Sequence, residues 1–171
     1  MGVLTKARQF LRKETLINLY YSFSYPHLTY GNVLWGANYY ANLDKLLKLQ
    51  KRLLRIITFS ERNAHTKQLF MDLRILDINK INIYQISIYM FKSLHNHFPS
   101  KPDNYTINSE IHSHDTRLTT KIHIEHSRTK ISQFAIKNYG PNIWNSLPPE
   151  INKIPNINIF KKQLKLYLIN I

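Results

Sequence analysis

Residues 42–59, NLDKLLKLQKRLLRIITF, carry apolar and basic side chains at a spacing that only an α-helix sorts into two clean faces. At 100° per residue, Leu43, Leu46, Leu47, Leu49, Leu53, Leu54, Ile56 and Ile57 fall on one half of the wheel. Lys45, Lys48, Lys51, Arg52 and Arg55 fall on the other. Asp44 alone interrupts the basic face and Gln50 alone interrupts the apolar one. A buried Gln needs partners for its amide, so Gln50 is expected to bond a neighbouring backbone turn. Asn42 is placed to cap the helix. A half-apolar helix of this length must be covered by other elements, and the rest of the chain supplies helices to do it.

Glu14–Tyr25 reads as a helix apolar over most of its circumference, with Pro26 expected to end or kink it. Gly31 and Gly36 then break the chain around Tyr30, Trp35, Tyr39 and Tyr40. Residues 65–76 read as a short helix capped by His65 or Thr66. Asp77 caps a longer one over 78–96, apolar over well over half its wheel apart from a strip near Asn82, Gln85 and Lys92, and stopped by Pro99 and Pro102. Residues 100–130 turn polar, with no helical period and room for short strands at KIHIEH. Gly140-Pro141 precedes NIWNSL, and Pro148-Pro149 opens EINKI. A last helix over 158–169 buries Phe160, Leu164, Tyr167 and Leu168 opposite Lys161, Lys162 and Lys165. The expected fold is mainly α: a helical domain over 1–99, a polar linker over 100–130 and a small helical module over 131–171.

The chain carries 24 Lys and Arg against 10 Asp and Glu, a formal charge of +14 over 171 residues. Ile, Asn and Lys, whose codons are A/T-rich, are abundant, so part of the excess reflects coding bias; the scarcity of acids does not. The charge therefore points to an anionic partner, and it concentrates in residues 1–60 and 131–171. Besides the basic face of 42–59, Arg12 and Lys13 are candidates for contact with phosphates. The absence of cysteine excludes disulfides, thiolate metal sites and cysteine nucleophiles. No apolar run approaches the ~20 residues of a membrane span, and the N-terminus lacks a signal peptide's apolar core, so a soluble intracellular chain is expected.

Two-metal nucleotidyl chemistry needs clustered carboxylates, and the acids here are scattered with no Asp-Asp or Asp-x-Asp. There is no Gly-rich phosphate loop and no G-x-S-x-G. His112-x-His114 and His123-x-x-His126, near Asp115 and Glu125, have spacings compatible with metal ligation, but no regular element orients them, and neither a metal nor a catalytic residue is assigned.

Several runs resemble, in order, the segment that follows the palm in reverse transcriptases of non-LTR retrotransposons, particularly jockey-like elements. They are LYYS-x-x-YPHL-x-YG at Leu19–Gly31, LWG at Leu34–Gly36, LQKR-x-x-RII at Leu49–Ile57, AHT-x-x-LF at Ala64–Phe70, HS-x-x-TR at His112–Arg117, GP-x-x-WNSLP from Gly140 to Pro148, and FKKQLKLYL at Phe160–Leu168. The family's endonuclease, fingers and palm, with the aromatic-Ala-Asp-Asp motif, have no counterpart here. The resemblance implies a C-terminal fragment of an RNA-directed DNA polymerase: a thumb-like helical bundle that binds RNA or an RNA/DNA duplex through phosphates. It implies the parent's palm and fingers as partners, Mg²⁺ only in that missing palm, no activity alone, and a nuclear and cytoplasmic location. The other reading of the residues is an inert helical interaction module, its apolar faces left over from a lost neighbour.

Overall fold

A computed structural model describes residues 2–37, 40–99, 105–111 and 120–171, with the backbone alone at 40 and 41. Tyr39, His112, His114, Asp115 and the HS-x-x-TR run lie outside the described residues. The fold is mainly α, as expected. In chain order the helices are α1 (Gly2–Ala7), α2 (Lys13–Leu19), a π-helical turn (Tyr20–Ser24), α3 (Tyr25–Thr29), α4 (Asn32–Trp35), α5 (Tyr40–Ile57), α6 (Thr66–Asp72) and α7 (Ile78–Leu94). They continue as α8 (Asn108–Ile111), α9 (Lys130–Phe134), α10 (Ile136–Ser146), α11 (Pro149–Asn152) and α12 (Ile157–Asn170). Among the described residues no strand forms, and the strands allowed for at 121–126 reduce to one antiparallel bridge between Ile107 and Ile122.

Helix α7 is the hub, with α3, α4, α5, α10 and α12 all packed against it. Its apolar circumference makes this necessary, and Asp77 starts it by accepting from the Lys80 N–H at 3.0 Å. Ile81, Ile86, Met90 and Phe91 of α7 share one core with Trp144, Phe160, Leu164 and Leu168, so the C-terminal helices close over the same apolar surface as the N-terminal ones. Residues 120–130 join that core through buried Ile122. The Asn145 side chain grips the Ile122 backbone from both sides, accepting from its N–H at 3.0 Å and donating to its carbonyl at 2.8 Å. A second core gathers Leu4, Leu16, Tyr20, Leu53, Leu54, Ile56, Ile57 and Ile75 between α1, α2, α5 and the chain after α6.

Pro26, expected to end or kink its helix, and Pro141 both lie inside helical runs. Before Pro26 the helix widens, the Tyr25 N–H donating to the Tyr20 carbonyl five residues back, and helix then continues to Thr29. A π turn re-seats the ladder where proline removes a donor. In α10, Pro141 follows Gly140, whose lack of a Cβ relieves the clash that disfavours helix before proline. Gly140 also lets α10 approach α7, since a Cβ there would sit 2.5 Å from Met90 Sδ.

Three helices end at residues that a helical period alone does not reveal. Phe59, Arg74 and Asn96 have φ of 56°, 51° and 55°. After each, a backbone N–H reaches back five residues: Ser60 to Arg55, Ile75 to Phe70, and His97 to Lys92, at 3.1, 3.0 and 2.8 Å. These are Schellman closures without glycine. They end α6 at Asp72 and α7 at Leu94, short of 76 and 96, and α7 stops before Pro99 is reached. At the other end α5 begins at Tyr40, so Asn42 lies in its first turn and does not cap it.

Asn82, grouped in sequence with the polar strip of α7, is buried. Its Nδ2 donates to Asn32 Oδ1 at 3.1 Å, and Asn32 donates in turn to the Leu28 carbonyl at 3.0 Å. Gly36 closes over this pair so tightly that a Cβ would overlap Asn82 Nδ2 and lie 2.6 Å from the Asn32 carbonyl oxygen.

Candidate nucleic-acid interface

Helix α5 carries the site, and its apolar face fixes its rotation. Leu43, Leu47, Leu53, Leu54, Ile56 and Ile57 are buried. Gln50 is buried among them and donates to the Leu76 carbonyl at 2.8 Å and to Tyr20 Oη at 2.9 Å. The expected bond to a backbone turn is there, at the junction of α6 and α7, together with a hydroxyl partner from the π turn. Gln50 Oε1 has no hydrogen-bond partner among the described residues. Burial pushes the Tyr20 hydroxyl far above its ordinary ionisation range, against the smaller opposing effect of the Gln50 bond. Gln50 thus pins α5 to two other segments and holds its opposite face outward.

That outward face forms one wall of a groove of about 600 Å³. Lys48, Lys51, Arg52, Arg55 and Ile56 of α5 line it, with Thr5 and Arg8 from the α1 end and Ser60, Arg62 and Asn63 from the following loop. The lining holds six cations and no acid. Lys48, itself exposed, is 2.7 Å from half-buried Asp44, an i,i+4 surface pair of small energetic weight. Arg55 Nε donates to the Ala64 carbonyl at 3.0 Å, folding the loop back onto α5. Thr58 Oγ1 donates to the Leu54 carbonyl at 2.9 Å and lies 2.8 Å from Ser60 Oγ, tightening the same turn. Arg8 reaches across from α1, its guanidinium carbon 5.1 Å from the centre of the Phe59 ring.

Of the residues expected from sequence, the structure brings Lys48, Lys51, Arg52 and Arg55 into this groove, and Arg55 is partly committed to holding the loop. Lys45 is exposed on α5 outside the lining, and Arg12 and Lys13 are exposed at the start of α2 outside it. Arg8 and Arg62 were not anticipated. Neither belongs to a basic helical face, and only the packing of α1 on α5 and the closure after Ile57 place them.

A second groove, about 530 Å³, lies on the other flank of α5 and is almost wholly apolar. Val3, Leu4, Leu19, Phe23, Leu28, Leu46, Leu49 and Leu53 line it with His27, Ser24 and Gln50. Leu49, on the apolar half of the wheel, is 49% exposed there, and Phe23 on the π turn is 64% exposed. The helical run after Lys13 is therefore buried on one side only.

Among the described residues no three His, Asp or Glu side chains converge on a metal position. His123 Nδ1 lies 3.1 Å from Asn108 Oδ1, and Glu125 pairs with Lys137 at 2.8 Å. No helix among them is long and apolar enough to cross a membrane. No known protein family, curated protein or solved structure matches the chain.

Proposed function

We propose that the chain binds nucleic acid through phosphates held in the groove between α1, α5 and the loop 58–64. The supporting observation is the lining itself: six cations on three separate segments, with no acid among them. Cations on one solvated helix face are commonplace. Cations from three segments facing one concave space repel one another and gain most from a polyanion. Contacts of this kind do not read sequence, and they weaken with salt. In the setting that the family resemblance implies, the ligand is RNA or an RNA/DNA template-primer duplex, and the chain supplies binding while a palm elsewhere supplies Mg²⁺ and chemistry. The test is fluorescence anisotropy of a labelled RNA/DNA hybrid with the wild type and with Lys48, Arg52 and Arg62 reversed to Glu. Arg55 is spared because it holds Ala64. Loss of binding in a folded triple variant is expected; retained binding would reject the groove.

The apolar groove favours a second reading, a docking module. It predicts self-association by light scattering, relieved by Leu49→Lys, whereas a monomer at all concentrations counts against it.

A further inference from the structure

Phe59 closes α5 in a conformation that suits glycine better. At φ 56° an L side chain crowds its own backbone, and glycine would make the same closure more easily. The ring does not repay this through core packing, for it is 46% exposed and belongs to none of the apolar clusters. Its contact is Arg8, whose guanidinium lies over the ring at 5.1 Å. Arg8 at the same time lines the basic groove. A flat aromatic and a flat cation therefore stand together at the edge of a groove containing five further cations. Single-stranded nucleic acids are held by this pairing of features, with the backbone along the charges and a base against the π surface. A base inside a duplex is already stacked and cannot use it.

We infer that Arg8 and Phe59 form a stacking platform for an unpaired nucleobase whose flanking phosphates lie in the groove. The preferred ligand is then a single strand, or a duplex with a single-stranded extension, over a blunt duplex. The inference rests on the groove being a phosphate site, and the test separates the two. Wild type, Phe59→Gly and the Lys48/Arg52/Arg62→Glu variant are titrated against a labelled single strand and a labelled blunt duplex at one salt concentration. Phe59→Gly is expected to fold at least as well as wild type and to bind the single strand at least about fivefold more weakly, with the blunt duplex changed less than about twofold. A single strand carrying 2-aminopurine should be quenched by wild type and not by Phe59→Gly. Phe59→Leu, which keeps apolar bulk over Arg8 without a π face, should behave as Phe59→Gly does; it guards against a glycine variant that frees α1. Unchanged single-strand affinity in Phe59→Leu, or equal losses for both ligands, overturns the platform while leaving the groove standing. Unchanged binding of both ligands by the charge-reversed variant overturns the groove and the platform with it.

Discussion

Salt dependence measures how many groove cations meet phosphates. Asp44 offsets part of one of the six lining charges through Lys48, leaving Arg8, Lys51, Arg52, Arg55 and Arg62 uncompensated by a carboxylate in the lining. On a duplex, log K falls with log salt by about 0.9 for each phosphate neutralised, so five contacts set a limiting slope of about −4.5. Between 50 and 200 mM salt that slope weakens binding by about 500-fold. Arg52→Ala removes one exposed lining charge that, among the described residues, neither an ion pair nor a loop contact engages, and should flatten the slope by about 0.9. Lys45→Ala removes the same charge about two turns away on the same helix but outside the groove, and should leave the slope unchanged. Anisotropy titrations of a labelled hybrid duplex at four or five salt concentrations give each slope directly. A wild-type slope shallower than about −2, or equal flattening by Lys45→Ala and Arg52→Ala, would refute the groove and leave only diffuse attraction to a basic protein.

Two further outcomes test the packing. Gly36→Ala should cost about 3 kcal/mol in urea unfolding, since its Cβ meets backbone and a hydrogen-bonded Asn pair that cannot yield, whereas Gly140→Ala should cost about 1 kcal/mol or less, because Met90 can turn aside and alanine favours helix; equal costs would contradict this contrast. Burial raises the pKa of Tyr25 to about 12 and that of Tyr20 further, so the folded state holds both protonated where the unfolded chain ionises near pH 10. The stability contributed by these two tyrosines should be fully present well below pH 10 and be lost as pH rises through 10 to 12, and Tyr25→Phe should remove part of that fall in a pH series of thermal melts.

The fold class was legible because the strongest signal, the two faces of α5, is local and periodic. Asp77 as a cap and Phe160, Leu164 and Leu168 as a buried stripe were legible for the same reason. The helix ends were not. Phe59, Arg74 and Asn96 continue the period or leave it neutrally, and only the closing hydrogen bonds show where each helix stops. Pro26 is accommodated by a π turn and Pro141 by the glycine before it, and both compensations are structural. Asn82 reads as polar surface, and its burial follows from Asn32, fifty residues away in sequence.

The site divides along the same line, and the division bears on how far the resemblance can carry function. Much of the resembling sequence falls on packing. Tyr20 receives the Gln50 bond, Gly36 closes over the Asn32–Asn82 pair, and the Trp144 and Phe160 rings lie 5.7 Å apart in the core. Such positions are held by packing and would be retained whether or not the chain binds a ligand. Arg8 and Arg62, which line the groove, and Phe59, which contacts Arg8, lie outside the resembling runs altogether. Lys51, Arg52 and Arg55 belong to both, standing in the LQKR-x-x-RII run and in the groove lining, with Lys51 half-buried. Arg55 has a structural duty that would retain it in an inert remnant. Arg52 has none in its observed contacts, is exposed, and faces the other groove cations. If the groove binds nothing, Arg52 is the residue whose replacement the protein should not notice; if it binds phosphates, it is the residue where fold and function can be told apart by a single substitution.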